Sequence, residues 1–260
     1  TTGFGLKYDV SANFSNWRNK VTYLPQSVLA EYGGNGTTDT ILGRCLGSYY
    51  GYTEKGLYKT ADDLAHSATH PGKGLGRIWW EDNDGDGDID LDDRVWFGTP
   101  EPLFSFGLNV SLAYKNLDFS MFWEGKAGWT ALTPTKTQTD FYAVAAEGTN
   151  RGKRILNAWT PENNKSKIPA IAYSNDNDEG RTSTYLYENH SFAKLRNIQI
   201  GYSFNFPALK SAGIDKLRIY VTGQNLIQIT SKDFSGVDPE QTSYSYPLPL
   251  TVIAGLQLGF

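Results

Sequence analysis

A run of aspartates and glycines from Asp82 to Asp93 carries the residue types and spacing of a defined ion-binding chemistry. Carboxylates at positions 1, 3, 5 and 12 of the run, with glycine at position 6, match an EF-hand-type calcium loop. Aspartates spaced by two residues can converge on one cation, while Gly87 permits the sharp turn. We predict a bound divalent cation, Ca²⁺ with Mg²⁺ as the alternative, at metal ligands Asp82, Asp84, Asp86, Asp88 and Asp93.

The details of this run favour a structural clip over a sensor. Asp88 would contribute its backbone carbonyl, and Asp93 stands where such loops usually carry a bidentate glutamate. The flanking residues, Trp79-Trp80 and Val95-Trp96-Phe97, predict strands or packed loops and not the two helices of a true EF-hand. A solvated acidic turn without an ion is the alternative interpretation.

Catalytic arrangements are absent from the sequence. His66 and His70 are four residues apart, but no glutamate lies between them to act as a general base. Nucleophile motifs, phosphate-binding loops and dinucleotide fingerprints are also missing, and the single cysteine, Cys45, excludes an internal disulfide framework. We predict that the chain is not an enzyme. Aromatic residues able to stack on a sugar are explained equally well by packing, so no substrate-binding residue is assigned: Trp129, Trp159, Tyr185 and Tyr187.

Composition narrows the class of protein. The net charge of −4 offers no basic footprint for nucleic acid. The hydrophobic content of 39% is ordinary for a soluble domain, and it also fits a membrane protein whose strands turn only one face to lipid. No stretch is long and apolar enough to predict a transmembrane helix.

Six segments alternate apolar and polar residues with the two-residue period of a β-strand. The last of them keeps the alternation over the length of a membrane-spanning strand, about 9 to 11 residues. In all six segments one face carries no charge, which a lipid-facing surface requires, because an arginine or lysine at the bilayer midplane costs about 2 to 4 kcal/mol. The segments are Phe4–Phe14, Phe104–Tyr114, Leu117–Glu124, Ile198–Phe206, Leu217–Thr222 and Leu250–Phe260.

The connections between these segments alternate between short and long. Tyr114–Leu117 and Phe206–Lys216 are short, whereas three others are long. Short periplasmic turns opposite long extracellular loops are typical of outer-membrane barrels. We therefore predict an all-β fold, an antiparallel transmembrane β-barrel segment with long extracellular loops and a short helix at Asp140–Glu147. The long connections are Ser15–Glu101, Gly125–Ala193 and Gln228–Pro247.

The acidic run, together with Phe97–Asn109, resembles the C-terminal part of SusC-like TonB-dependent outer-membrane transporters. Further stretches that carry the resemblance follow in the same order and cover nearly the whole chain, more weakly before Gly51. They are Leu112–Phe119, Ala158–Asn163, Phe192–Ile198, Gly223–Leu226, Asp238–Glu240, Tyr246–Leu248 and Gly255–Phe260.

The resemblance implies a barrel of about 22 strands with a plug domain, in the outer membrane of a Gram-negative bacterium. It implies import of an oligosaccharide or peptide, captured by a SusD-like surface lipoprotein and powered through TonB. Residues 1–260 would then be the C-terminal part of the barrel domain, including the acidic loop at 82–93, without the plug or the TonB-contacting segment. The remainder of the barrel and outer-membrane lipid would be its other partners, because the smallest barrels need about 8 strands.

Two other functions stay open at this point. The chain could be a soluble, calcium-clipped, carbohydrate-binding β-sandwich, or an extracellular glycosidase with paired carboxylates in a cleft. The sandwich differs from the barrel in one structural respect. A second sheet would cover the apolar faces of the strands, including Val252, Leu256, Phe106 and Leu108.

Overall fold

A computed structural model describes residues 5–27, 40–140, 151–172, 177–211, 213–243 and 245–260. Phe4, the predicted start of the first strand, and residues 141–147 of the predicted helix lie outside this range. Within it the regular secondary structure is mostly β-strand, and no helix there is long and apolar enough to span a membrane. The strands are β1 (Leu6–Ser15), β2 (Tyr49–Gly51), β3 (Glu54–Leu57), β4 (Ile78–Trp80), β5 (Val95–Phe97), β6 (Phe104–Tyr114), β7 (Leu117–Ala127), β8 (Thr130–Leu132), β9 (Tyr187–Asn189), β10 (Phe192–Phe204), β11 (Lys216–Thr230) and β12 (Thr251–Gly259). The helices are α1 (Ala61–Ala65), α2 (Pro134–Thr139) and α3 (Pro207–Ser211), with a 3₁₀ turn at Lys153–Asn157.

Six long strands form one antiparallel sheet in the order β1-β6-β7-β10-β11-β12. These are the six strands predicted from the alternation, and β6 has the predicted bounds. Three predicted bounds were wrong by several residues, because β7 continues to Ala127, β10 begins at Phe192, and β11 continues to Thr230.

The two largest of these errors have a common physical cause. A register shift between Leu195 and Asn197 interrupts β10, and Asn225 of β11 has a φ of 55°, in the left-handed region. A β-bulge inserts a residue into one strand and moves the following side chains to the other face. The strict alternation therefore stops at the bulge, although the strand continues beyond it.

The apolar face of the sheet is open in the part of the chain that the structure describes. On β1, Tyr8 and Val10 are 60% and 58% exposed, and on β12, Val252 and Leu256 are 63% and 59% exposed. No second sheet packs on them, since the other described sheets are pairs of three- or four-residue strands in the connections. The sandwich alternative therefore has no second sheet over these strands among the described residues.

The three long connections, residues 16–103, 128–191 and 231–250, all leave the same end of the sheet. We call them the loop layer. Three small two-stranded sheets, β2-β5, β3-β4 and β8-β9, give it local order. Its core buries eight side chains from the first two connections, which are therefore folded and not simply long loops: Tyr52, Leu57, Ile78, Trp80, Ile89, Trp159, Tyr185 and Leu186.

Candidate functional site

The acidic loop brings three carboxylates together. One side-chain oxygen from each of Asp82, Asp84 and Asp86 lies within 4.8 Å of the others. Asp82 also accepts hydrogen bonds from the backbone N–H groups of Gly85, at 2.6 Å, and Gly87, at 3.1 Å. Both glycines have positive φ angles, 80° and 92°, so the loop folds tightly around the Asp82 side chain.

The other two predicted metal ligands lie outside this group of three. Asp93 is fully buried, and its carboxylate accepts hydrogen bonds from the backbone N–H groups of Asn83, at 2.7 Å, and Asp90, at 2.8 Å. It therefore ties the first half of the loop to the second. Asp88 donates its backbone N–H to Asp86 Oδ1 at 2.8 Å, and its side chain is exposed to solvent.

The loop is attached to the core of the loop layer through its eighth residue, Ile89. This side chain is buried in the core cluster. Its N–H donates to the carbonyl of Thr69 at 2.9 Å, and the N–H of Thr69 donates to the carbonyl of Gly87 at 2.7 Å. The strands β4 and β5 precede and follow the loop, as the flanking aromatic residues predicted. The result is a clip seated on strands and not a helix-loop-helix unit.

The electrostatics of the loop favour a cation. The backbone N–H of Asp86 lowers the pKa of Asp84, but desolvation and the charges of Asp86, Asp93 and Asp82 outweigh it and leave that pKa above its ordinary value. A bound cation would relieve this repulsion. The three converging side chains offer only oxygen, which suits a hard cation such as Ca²⁺ or Mg²⁺.

The polar face of the sheet carries its charges in pairs. Arg218 of β11 reaches across β10 to Asp118 of β7, with its Nε 3.0 Å from Oδ1 and its Nη2 2.5 Å from Oδ2. Gly201 of β10 lies beneath this pair, and a Cβ at that position would collide with both side chains. The charges therefore lie on the face opposite Val252.

A larger ionic cluster joins the sheet to the loop layer. Lys194 of β10 is 3% exposed, and its Nζ contacts Asp238 Oδ1 at 2.5 Å and Glu240 Oε2 at 2.6 Å. Arg196 bridges Glu240, at 2.5 Å, and Glu124 of β7, at 2.9 Å. We call these five residues the anchor cluster. It fixes the connection between β11 and β12 onto the polar face of the sheet.

The anchor cluster also shifts the titration of its loop carboxylates. Burial raises the pKa values of Asp238 and Glu240, but the hydrogen bonds and charges of Lys194 and Arg196 more than compensate, so both pKa values lie below their ordinary range. Both carboxylates are therefore charged at neutral pH. Sequence reasoning missed this cluster, because its members are up to 116 residues apart, from Glu124 to Glu240, and no local spacing links them.

Two buried histidines, and two of the aromatic residues considered for stacking on a sugar, serve packing. His190 is fully buried, with Nδ1 2.8 Å from the carbonyl of Pro239 and Nε2 3.2 Å from Thr133 Oγ1. His70 is also buried, with Nε2 3.0 Å from the carbonyl of Asn177. Trp159 and Tyr185 belong to the core of the loop layer and are closed to a ligand.

Comparison with known proteins gives consistent relatives. No family model matches the chain. TonB-dependent receptor P3 of Formosa agariphila is 32% identical over 247 residues, which are 92% of this chain and 24% of that receptor. TonB-dependent receptor SusC of Bacteroides thetaiotaomicron is 30% identical over 185 residues, 69% of this chain and 17% of that receptor. The chain thus spans about a quarter or less of the length of these curated relatives.

The fold has a close counterpart among solved structures. The RagAB peptide importer in its open-open state superposes with a TM-score of 0.70 at 22% identity, covering 100% of this chain and 27% of that one. Its closed-closed state gives a TM-score of 0.71 at the same identity. At this level of identity the likeness concerns the fold, an antiparallel transmembrane β-barrel segment.

Proposed function

Since this chain belongs to the TonB-dependent receptors, we propose that it forms part of the wall of an outer-membrane barrel that imports glycans or peptides. The resemblance to SusC-like proteins and the fold class are confirmed by the relatives and the superposition. The outer membrane of a Gram-negative bacterium is the location of this family. The relatives are receptors, so the prediction of a non-enzymatic protein is confirmed as well.

One observation carries the proposal: the sheet separates its side chains by polarity. Leu256 is 59% exposed on one face, whereas Asp118 and Arg218 form an ion pair on the other. In water, six strands with an open apolar face would aggregate, but in a bilayer that face is satisfied by lipid. The paired charges would line an aqueous lumen.

The proposed partners complete the barrel and its transport cycle. The edge strands β1 and β12 each have one hydrogen-bonded neighbour among the described strands, so further strands of the same protein would pair with them. A plug domain would gate the lumen and connect to TonB. A SusD-like lipoprotein would cover the loop layer and deliver the substrate. Import would proceed by plug movement without covalent chemistry.

A purified, full-length receptor containing this chain tests the proposal. We expect it in the outer-membrane fraction and monodisperse only in detergent, and we expect deletion of its gene to abolish growth on one class of glycan or peptide. A receptor that stays monodisperse in plain buffer would overturn the barrel assignment. A gene deletion that leaves growth and uptake unchanged across those substrates would overturn the import assignment.

We also propose that the acidic loop binds a divalent cation, Ca²⁺ in preference to Mg²⁺. The convergence of Asp82, Asp84 and Asp86 within 4.8 Å supports this proposal. The carbonyl of Asp88 and the carboxylate of Asp93 remain predicted ligands. The ion would offset part of the negative charge of the seven aspartates in the loop.

Thermal unfolding of the full-length receptor in detergent tests the cation. We expect EDTA to lower the unfolding temperature by several degrees and Ca²⁺ to restore it more fully than Mg²⁺, because a ligand of the native state stabilises that state. D84N should abolish the response, while D62N, on the exposed helix α1, should keep it. An unfolding temperature that ignores both EDTA and Ca²⁺ would refute the site.

A further inference from the structure

A large cleft opens in the loop layer, away from the acidic loop. Its volume is about 1030 Å³, and its walls come from all three long connections. Strand β3 and the following residues form one side, α2, β9 and the segment 154–168 form another, and residues 232–235 close the third. The cleft therefore lies at the long-loop end of the sheet, where a substrate would arrive before entering a barrel.

The lining of this cleft is strongly basic. Seven lysine and arginine side chains line it against three acidic ones, an excess of four positive charges, whereas the whole chain has a net charge of −4. The lining therefore has a net positive charge, whereas the rest of the chain has a net negative charge. A cleft lined by one sign of charge focuses the field and attracts ligands of the opposite sign.

The inner cations are already paired and form the floor. Lys136 is 7% exposed, contacts Glu188 at 2.8 Å and donates to the carbonyl of Tyr185 at 2.5 Å. Arg154 contacts Asp140 at 2.5 Å. Burial raises the pKa of the third floor carboxyl, Glu54, although Lys136 and Lys167 partly oppose this shift. The two floor cations therefore offset the charges of Glu188 and Asp140.

Four of the five outer cations make no ion pair with another described residue. Lys59, Lys165, Lys167 and Lys232 are exposed, and in the described ranges no carboxylate lies within the 4.0 Å of an ion pair from their ammonium groups. Lys55 contacts Glu81 at 3.6 Å. Four flexible ammonium groups around one opening can each meet a separate anionic group, which favours a ligand with several charges along its length.

The uncharged lining favours a hydroxylated ligand over an apolar one. The aliphatic side chains Leu57 and Ile168 are buried, so a peptide with apolar anchors finds little surface to cover. The ring of Tyr187, which packs on Tyr49 at 4.4 Å, and the ring of Phe234, which packs edge-on against His190, are half-buried in the lining. The exposed amides of Asn157 and Asn189 provide hydrogen-bonding groups. Rings beside amides and cations suit sugar units that carry carboxylate or sulfate groups.

We propose that this cleft binds an anionic oligosaccharide, one with carboxylate or sulfate groups on successive sugars, through the rim lysines Lys59, Lys165, Lys167 and Lys232. The inference rests on the proposed import function and names the substrate class that this part of the receptor selects. The shared chemistry is a chain of sugars bearing repeated negative charges. Carboxylated and sulfated sugars are the two sources of that charge.

Equilibrium binding to the full-length receptor in detergent tests the assignment without requiring transport. The probes are oligogalacturonate, oligomeric dextran sulfate, neutral dextran oligomers of matched length, and hexaglutamate as an acidic peptide. We expect one or both anionic oligosaccharides to bind at least about tenfold more tightly than neutral dextran, and their affinity to fall as salt rises. The triple variant K165Q/K167Q/K232Q should weaken that binding about tenfold. The matched triple K20Q/K115Q/K216Q, which removes the same charge away from the cleft, should change it less than about twofold.

The outcomes separate this inference from the import proposal. Equal binding of neutral and anionic oligosaccharides, or equal effects of the two triple variants, would overturn the cleft assignment even for a receptor that fractionates with the outer membrane and imports a substrate. Hexaglutamate binding as tightly as the anionic sugars would overturn the assignment to an oligosaccharide. Conversely, a receptor that fails the detergent test but passes this one would retain an anion-binding cleft and lose only the barrel.

Discussion

Large apolar side chains are buried in the core of the loop layer but exposed on one face of the sheet. In the loop layer, Trp80 and Ile78 are 1% and 0% exposed within a closed core, whereas in the sheet, Val252 and Leu256 are 63% and 59% exposed. Both regions belong to the same chain. The loop layer therefore buries its apolar side chains as a water-soluble domain does, whereas the sheet exposes them as a surface in contact with lipid does. The same type of substitution should have different consequences in the two regions.

Truncation of the loop-layer core should give the largest effect. We expect W80A to destabilise the loop layer by about 4 kcal/mol, because a large buried side chain leaves a cavity. Limited proteolysis of the receptor in detergent should then cut within residues 40–103 while the sheet stays protected. W17A, at a tryptophan that is 50% exposed, is the control and should leave the cleavage pattern unchanged. Equal cleavage of the two variants would remove the distinction between a folded layer and ordinary loops.

A charge on the apolar face should give the next largest effect, and only in a membrane. We expect L256R to destabilise the barrel in liposomes by about 3 kcal/mol, because its guanidinium would face hydrocarbon. I253R, three residues back along β12, lies on the polar face opposite Thr222 and not opposite Arg218, so it should cost little. Reversible denaturant unfolding in liposomes measures both. Equal costs for the two substitutions would show that the two faces of β12 have the same surroundings.

Acid should give the smallest effect, at the anchor cluster that joins the two regions. The folded-state pKa values of Asp238 and Glu240 lie below their unfolded values, so their stabilisation is complete above about pH 5 and is lost as the pH falls through the lowered folded values. A spin label at Tyr246, which is 95% exposed, should gain mobility below about pH 4.

A substitution within the anchor cluster provides the control for this acid effect. K194M removes the cation that both carboxylates contact, so the label at position 246 should already be mobile at pH 7 and change less on acidification. A label that responds identically to acid in both proteins would assign the pH dependence to other groups.

The alternation of apolar and polar residues predicted the sheet well, because each face of a membrane strand has uniform surroundings along its length. The bounds of β6 follow directly from its alternation, whereas β10 and β11 extend past their bulges, where the two-residue period no longer applies. The core of the loop layer was beyond prediction, since Tyr52, Trp80 and Trp159 meet only through long-range contacts. Its sequence has turns and short strands without a regular period.

The candidate site also has parts that local spacing predicts and parts that depend on long-range contacts. The spacing by two of Asp82, Asp84 and Asp86 is a local property, and the structure brings these three together as the motif predicts. The position of Asp93 depends on the backbone of Asn83 and Asp90, which spacing alone does not specify. The basic cleft gathers lysines from three distant connections, so no sequence window revealed it.

The buried carboxylate of Asp93 has a consequence for how an ion would be captured. Because it fastens both halves of the acidic loop through backbone hydrogen bonds, the loop is preorganised and an arriving ion would not have to fold it. Less conformational entropy would then be lost on capture than in a loop that folds around its ion. Release of the ion would then leave the clip's shape intact and change mainly its charge.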